Sequence, residues 1–378
     1  MKQQLQAAGN NLKDRLCQIS DFMYHNPEIG NQEYKAAEKL VTFLRENNFA
    51  VKHPILGIDT AFEAVYDSGK PGASVAYLCE YDALPEIGHA CGHNMIGAMS
   101  AGAGVILSKV IDGIGGKIYV FGTPAEETNG GKVAMAEAGL FVGITAALMI
   151  HPSDDTRESG TSAAMEALQF SYKGLTAHAA GCPEKGINAL NAVIQLFNGI
   201  DALRQHVTPD VRMHGIISKG GVAANIVPDE AVAQFYIRSA TKENLATVKE
   251  KVLKIAEGAA LMTGAALEVT NYELSYEDLK TNEALSEAYN ENLRALGITD
   301  IKSPIKGAGS SDIGNVSNVV PTIHPYLGIS ETPIIGHTRE FAAATVTDFA
   351  HERLLTGALA LAYTGLDVLN GIVPLQNK

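Results

Sequence analysis

The stretch Lys117-Ile118-Tyr119-Val120-Phe121-Gly122-Thr123-Pro124-Ala125-Glu126-Glu127 holds the fold and its chemistry in outline. Residues 117–122 form a short apolar run with β character, and Thr123-Pro124-Ala125 turns it into a loop carrying two adjacent acids. Neighbouring carboxylates at the end of a buried strand are costly unless a cation compensates them. Outward from this stretch, similar runs occupy 61–66, 74–79 and 146–150, with helical spacing at 95–110 and 133–138. Strands and helices alternate, as in an α/β sheet. Nearer the start, Leu12, Leu16, Ile19 and Met23 predict a helix that Asn26-Pro27 stops, and Tyr34, Ala37, Leu40, Val41 and Leu44 predict a second.

Polar groups gather at the strand ends. Asp82 follows the run ending at Cys79, Glu126 and Glu127 follow Gly122, and His151 directly follows Ile150. Loops beyond the carboxyl ends of such strands converge on one crevice. In His89-Ala90-Cys91-Gly92-His93-Asn94 a thiolate and an imidazole two residues apart can share a divalent cation. Adjacent acids can divide the work, one binding metal while the other moves protons. Each residue alone has a blander reading: a small buried cysteine, a capping histidine, surface acids, a core histidine at 151, a loop histidine at 337. Together, Cys91, His93, Glu127, His151 and His337 form a mixed S/N/O donor set that suits zinc better than magnesium or calcium. Five ligands exceed one tetrahedral site, so two metals with a bridging group are expected.

Rival motifs explain less. A Cys91–His93 nucleophile pair leaves Glu127, His151 and His337 unused. Gly102-Ala103-Gly104 lies inside an apolar helical pattern, where packing accounts for it, and Gly131-Lys132 is followed by Val133, which breaks a phosphate loop.

From about residue 163 the pattern changes. A strand at 168–172, a helix at 187–206, strands at 213–218 and 231–239, a helix at 243–262 and a strand at 267–270 describe a ferredoxin-like α+β unit. Residues 284–296 (helix), 319–326 (strand) and 347–366 (helix) return to the first domain. The expected division is a catalytic metal-binding domain over 1–163 and 276–378, with an inserted satellite domain over 164–275. A length of 378 residues exceeds what one core usually serves. The net charge of -13, without a Lys/Arg stripe, argues against nucleic acid and favours a small-molecule or short-peptide partner. No apolar run reads as long enough to cross a bilayer, and the N-terminus lacks a secretory apolar core. Four widely spaced cysteines read as reduced thiols of a cytoplasmic protein.

Seven blocks, in order, resemble the aminoacylase and carboxypeptidase-type metallopeptidase family. They are Glu80 to Pro85, Gly88 to Asn94, Thr123 to Glu127, His151-Pro152, Ala177-His178-Ala179-Ala180, Ala224 to Asp229 and Gly336-His337-Thr338. The likeness is closest to the amidohydrolase branch with the HmrA-type and p-aminobenzoyl-glutamate hydrolase-like proteins. It implies a mixed-sheet di-metal aminopeptidase/carboxypeptidase-like catalytic domain that cleaves amide or peptide bonds of N-acyl amino acids or short peptides by a metal-activated water. Two divalent ions, zinc with manganese or cobalt as alternatives, are implied at Cys91, His93, Glu127, His151 and His337, with Cys91 bridging. Glu126 is the implied general base and Asp82 orients ligands from behind. The inserted domain is implied to form a homodimer and to supply His178 for the oxyanion, with Asn225 and Arg238 holding the substrate. A catalytically inactive binding or regulatory protein on the same fold is the alternative. Asn94 departs from the branch's commoner Cys-Gly-His-Asp pattern, which removes a carboxylate near the metals. His25, His53, His206, His214, His324 and His351 carry no assigned role.

Overall fold

The computed structural model describes residues 1–305, 307 and 309–375. Helices α1 (Lys2–His25) and α2 (Tyr34–Glu46) precede strands β1 (Ala50–Lys52), β2 (Phe62–Asp67) and β3 (Ser74–Cys79). Then come α3 (His93–Ile111), β4 (Lys117–Gly122), α4 (Gly131–Glu137), β5 (Ala146–Leu148) and β6 (His151–Ser153). The next stretch carries β7 (Ala164–Lys173), α5 (Ala189–Leu203), β8 (Arg212–Lys219), β9 (Glu230–Ser239), α6 (Lys242–Thr263) and β10 (Ala266–Asn271). The chain ends with α7 (Glu283–Ala295), α8 (Ile313–Ser317), β11 (Thr322–Ile323), β12 (Tyr326–Gly328), α9 (Arg339–Ala344) and α10 (Asp348–Leu369).

Two units separate, Met1–Ser162 with Leu279–Lys378 and Ala163–Asp278. The joints lie slightly outside the expected 163/164 and 275/276. Reciprocal backbone hydrogen bonds between Met165 and Tyr276 (2.8 and 3.0 Å) carry strand-like pairing beyond the β7 and β10 partners and draw those residues into the second unit.

The first unit is built on a six-stranded sheet in the order β1-β2-β4-β3-β5-β11. Strands β4, β3, β5 and β11 run parallel, while β1 and β2 are antiparallel. Helix α3 is buried on nearly every side. A Cβ on Gly102 would stand 2.7 Å from Leu16 Cδ1, and one on Gly104 would stand 2.6 Å from Val120 Cγ2. That glycine pair therefore serves close packing, as its helical setting suggested. Contrary to the sequence expectation, α3 is long and apolar enough to cross a membrane by length and composition; 89% of the qualifying window is buried inside the protein, which makes it a core helix.

The strand expected over 319–326 is two strands. β11 joins the main sheet, Pro325 interrupts it, and β12 pairs in parallel with β6 in a separate ribbon. A proline has no N–H to continue a ladder. This break places Tyr326 opposite His151.

The second unit is an antiparallel sheet in the order β10-β7-β9-β8, with α5 and α6 packed on it around Leu168, Phe170, Val193, Leu196, Phe235 and Val252. The β-α-β, β-α-β order read from the sequence is the one observed. β8 is an edge strand with Ile216 and Ile217 exposed.

Candidate active site

The first unit brings seven sequence-predicted residues to one place. The chain leaving β3 delivers Asp82, the chain leaving β4 delivers Glu126 and Glu127, and β6 begins at His151. Gly92, with φ of 82°, caps α3 in a left-handed conformation, and a Cβ there would lie 3.0 Å from Pro152. Only glycine makes that turn without strain, and it sets Cys91 and His93 on its two sides. Beside the metal donors, two non-glycine residues also adopt positive φ: Ala125 (61°), immediately before Glu126, and His337 itself (59°). Such conformations cost roughly 1–3 kcal/mol and persist where the surroundings enforce them.

Asp82 organises the cluster. One oxygen contacts His93 Nδ1 at 2.9 Å, and the other accepts from the Glu127 backbone N–H at 3.0 Å. Because Nδ1 faces only acceptors, it carries a proton, which leaves Nε2 as the nitrogen turned inward toward a metal. His151 is set the same way, with Nδ1 2.7 Å from the Pro152 carbonyl oxygen and Nε2 3.3 Å from Cys91 Sγ. His337 Nε2 lies 3.6 Å from Glu127 Oε1, and its backbone N–H donates to Ala90 O at 2.9 Å.

Two groups of donor atoms share Cys91, Cys91–His93–His151 and Cys91–Glu127–His337, and His93, Glu126 and Glu127 form a third, each with all donor atoms within 4.8 Å of one another. His93 Nε2 and Glu127 Oε1 are buried with no hydrogen-bond partner. This is the arrangement expected of donors waiting for cations, and the S/N/O chemistry fits two borderline divalent ions bridged by a thiolate. Electrostatics agree. Burial, with Glu127 and Glu126 nearby, pushes the Cys91 thiol up to about 12. Burial lowers His151 to about 4. His93 moves the opposite way: burial disfavours its charge, yet Cys91, Asp82 and Glu80 hold its pKa well above the ordinary value. Glu126 is raised well above the carboxylate range by burial and by the charges of Glu80 and Asp312. Divalent cations reverse each of these penalties on anionic groups.

The other three predicted residues lie in the second unit. His178 is exposed, and its Nδ1 accepts backbone N–H bonds from Ala180 (3.3 Å) and Gly181 (3.0 Å). The neutral ring therefore carries its proton on Nε2 and presents a donor. A bridge between His178 and Ile226, and the Ala179 N–H to Asn225 O bond of 3.0 Å, put Asn225 beside it. Arg238 is elsewhere. The register pairs Lys173 with Glu230 at one end of β7–β9 and Met165 with Arg238 near the other. The eight steps from Glu230 to Arg238 span roughly 26 Å at about 3.3 Å per residue, so Arg238 does not join His178 and Asn225 within one chain.

The family described as a peptidase dimerisation domain matches residues 163–262. Xaa-Arg dipeptidase of Mus musculus is 36% identical over 372 residues, covering 94% of this chain and 86% of that protein. The chain belongs to the M20 peptidase family. A p-aminobenzoyl-glutamate hydrolase polypeptide of Escherichia coli is 32% identical over 312 residues, 77% of this chain and 64% of its own length. Among solved structures, a dinuclear metal-binding M20 peptidase from Bacillus subtilis shares the fold, with a TM-score of 0.72 at 20% identity, covering 96% of this chain and 99% of that one. A putative aminohydrolase from methicillin-resistant Staphylococcus aureus gives 0.82 at 21% identity, covering 98% and 100%. This M20 protein is a metal-dependent hydrolase of amide bonds, with the mixed α/β sheet and inserted dimerisation domain that the resemblance implied. No observation favours the inactive alternative.

Several residues at the M20 site were not singled out from sequence. His324, buried and lowered to about 3 by burial and by His151, packs its ring 5.5 Å from that of His151, and Tyr326 stands 5.5 Å from the same ring. Glu80 Oε2 lies 3.3 Å from His93 Nε2, and its Oε1 lies 2.6 Å from Lys132 Nζ. Lys132 also pairs with Asp312 at 2.7 Å. Glu33 accepts the Ala125 N–H at 2.8 Å. Of these, only Glu80 sat inside a recognised block, and a lysine in the apolar pattern of α4 was the one other signal available.

Proposed function

We propose that this M20 hydrolase splits the amide bond of dipeptides and N-acyl amino acids, with Glu126 as general base. The carrying observation is the pair of donor groups that share Cys91 and have Glu126 beside them. Bound there, two divalent ions supply Lewis acidity that makes a water nucleophilic near neutral pH and polarises the scissile carbonyl. Glu126 accepts the proton of that water and delivers it to the departing amine. Asp82 fixes His93 and the Glu127 backbone, so the ligand set is pre-oriented. Zinc is the native metal on this reading, because thiolate and imidazole donors select it over hard cations. A Cys91 nucleophile is disfavoured, since both donor groups use its sulfur and a nucleophilic role leaves Glu127, His151 and His337 without one.

The protein works as a homodimer through its inserted domain. Support comes from the matched dimerisation family and from the exposed apolar residues of edge strand β8. His178 donates from Nε2 to the developing oxyanion, while Asn225 and Arg238 hold the substrate's polar end. The separation of Arg238 from His178 along β9 supports a site to which two copies of the chain contribute different members of this set. Four free thiols, at Cys17, Cys79, Cys91 and Cys182, support a reducing, cytoplasmic setting.

The test is turnover of metal-reconstituted wild type and Glu126→Gln on dipeptides, Xaa-Arg dipeptides included, N-acyl amino acids and aminobenzoyl-glutamate. The variant is expected to lose about a hundredfold to ten-thousandfold in kcat with metal content unchanged. Undiminished turnover in Glu126→Gln refutes the assigned base. Binding without turnover by both proteins refutes the substrate class.

A further inference from the structure

Lys132 is fully buried beside carboxylates of which the hydrolytic mechanism uses only Glu126. Its ammonium lies 2.6 Å from Glu80 Oε1 and 2.7 Å from Asp312 Oδ1, and its backbone N–H donates to Asp312 Oδ2 at 3.0 Å. All three side chains are 0–1% exposed. A charge taken that far from water costs several kcal/mol unless it is closely paired, so its place is enforced by the carboxylates around it. Glu126 completes the environment: oxygens of Glu80, Glu126 and Asp312 lie within 4.8 Å of one another, which is the spacing of an oxygen-ligand cation site. The lysine ammonium already occupies two of those three carboxylates.

Glu80 links this ammonium to the metal donors. While Oε1 pairs with Lys132, Oε2 stands 3.3 Å from His93 Nε2, the nitrogen that Asp82 leaves for a metal. A carboxylate so close to a ligating nitrogen is itself a competent metal ligand. We propose that Lys132 is a positioning residue, a resident cation that holds Glu80 off the metal pair and keeps the Glu80–Glu126–Asp312 group from taking a divalent ion. Its ammonium fills the place of a third cation, so the metal at His93 keeps an open position for substrate and Glu126 keeps its oxygens for protons. This rests on the two-metal reading above.

The experiment loads wild type, Lys132→Met, Glu80→Gln and the Lys132→Met/Glu80→Gln double variant with cobalt(II). It records metal per chain by mass spectrometry and the visible d–d spectrum, whose intensity falls as coordination number rises. Wild type and Glu80→Gln are expected to hold two ions per chain with the same spectrum. Lys132→Met is expected to take up an additional ion or to lose about half of its d–d intensity through an added oxygen ligand. The double variant, lacking the Glu80 charge, is expected to return to the wild-type spectrum. In Lys132→Met, kcat is expected to fall about tenfold or more with KM little changed. A Lys132→Met protein with wild-type stoichiometry and spectrum, or a double variant that stays altered, overturns the proposal while leaving the metal site standing. Failure of wild type to bind two ions overturns the two-metal reading itself. If the methionine variant does not fold, Lys132→Gln, whose amide still donates to one carboxylate without carrying charge, gives the same readouts.

Discussion

Glu33 offers a quantitative check on how tightly the loop before the catalytic acids is held. It is fully buried at the start of α2, where Oε2 accepts from the Thr60 hydroxyl at 2.9 Å and Oε1 accepts from the Ala125 N–H at 2.8 Å. Ala125 is the left-handed residue immediately before Glu126. Burial raises Glu33 from 4.5 to about 7; the charge of Asp82 adds to the rise, and the hydrogen bonds from Thr60 and Ala125 oppose it. Between pH 4.5 and about 7 the folded protein therefore holds a proton that the unfolded chain has released. Stability contributed by this group falls as pH rises through that window and is lowest above it. A difference of about 2.5 units at 1.36 kcal/mol each sets a ceiling of about 3 kcal/mol. Glu33→Gln imitates the protonated acid, because its carbonyl can accept from Ala125 while its NH2 donates to the Thr60 oxygen. Urea unfolding of the chelator-treated proteins is expected to give equal stabilities near pH 4.5 and a Glu33→Gln advantage approaching 3 kcal/mol by about pH 8. A gap that does not change with pH, or a wild type more stable at pH 8, refutes the reasoning.

Replacing Asp82 by Asn keeps an acceptor for His93 Nδ1 but presents an N–H to the Glu127 N–H. Chelator competition is expected to show metal affinity weakened by about 10- to 100-fold, and an unchanged affinity contradicts the role given to Asp82. Ile216→Asp with Ile217→Asp on edge strand β8 is expected to convert the proposed dimer to monomers in sedimentation while leaving the fold intact. A variant that stays dimeric moves the interface away from β8.

The sequence revealed elements wherever one face repeats. Residues 117–122 and 231–239 were legible as strands because their burial alternates or runs continuously, and both are observed over nearly those residues. β1 spans three residues with no buried position, and α8 and α9 span five and six, too few for any period to show. The metal donors were legible because cysteine and histidine are scarce residue types whose neighbours are informative. Lys132 was not. Its meaning lies in Asp312, 180 residues away, and no local pattern reports a partner at that distance. The Val319-to-Tyr326 run misled for a related reason, since its apolar character is shared by two strands belonging to different ribbons.

Asn94 is where the charge balance and the sequence meet. The resemblance implied an aspartate there as the branch's commoner residue, and its absence read as a lost carboxylate near the metals. In the fold, Asn94 is fully buried and donates to Ser20 Oγ at 3.0 Å and Thr345 Oγ1 at 3.1 Å, so its amide ties α3 to α1 and to the residue that follows α9. With two divalent ions bound as proposed, the site would set Glu80, Asp82, Glu126, Glu127, Asp312 and a Cys91 thiolate against Lys132 and the two ions. With the histidines neutral in that metal-bound state, one negative charge would remain, which Glu126 could neutralise by accepting a proton. A further buried carboxylate at position 94 would leave a second uncompensated charge in a medium where that is costly. The amide at 94 and the ammonium at 132 thus act in the same direction, each reducing the negative charge that the metals must offset.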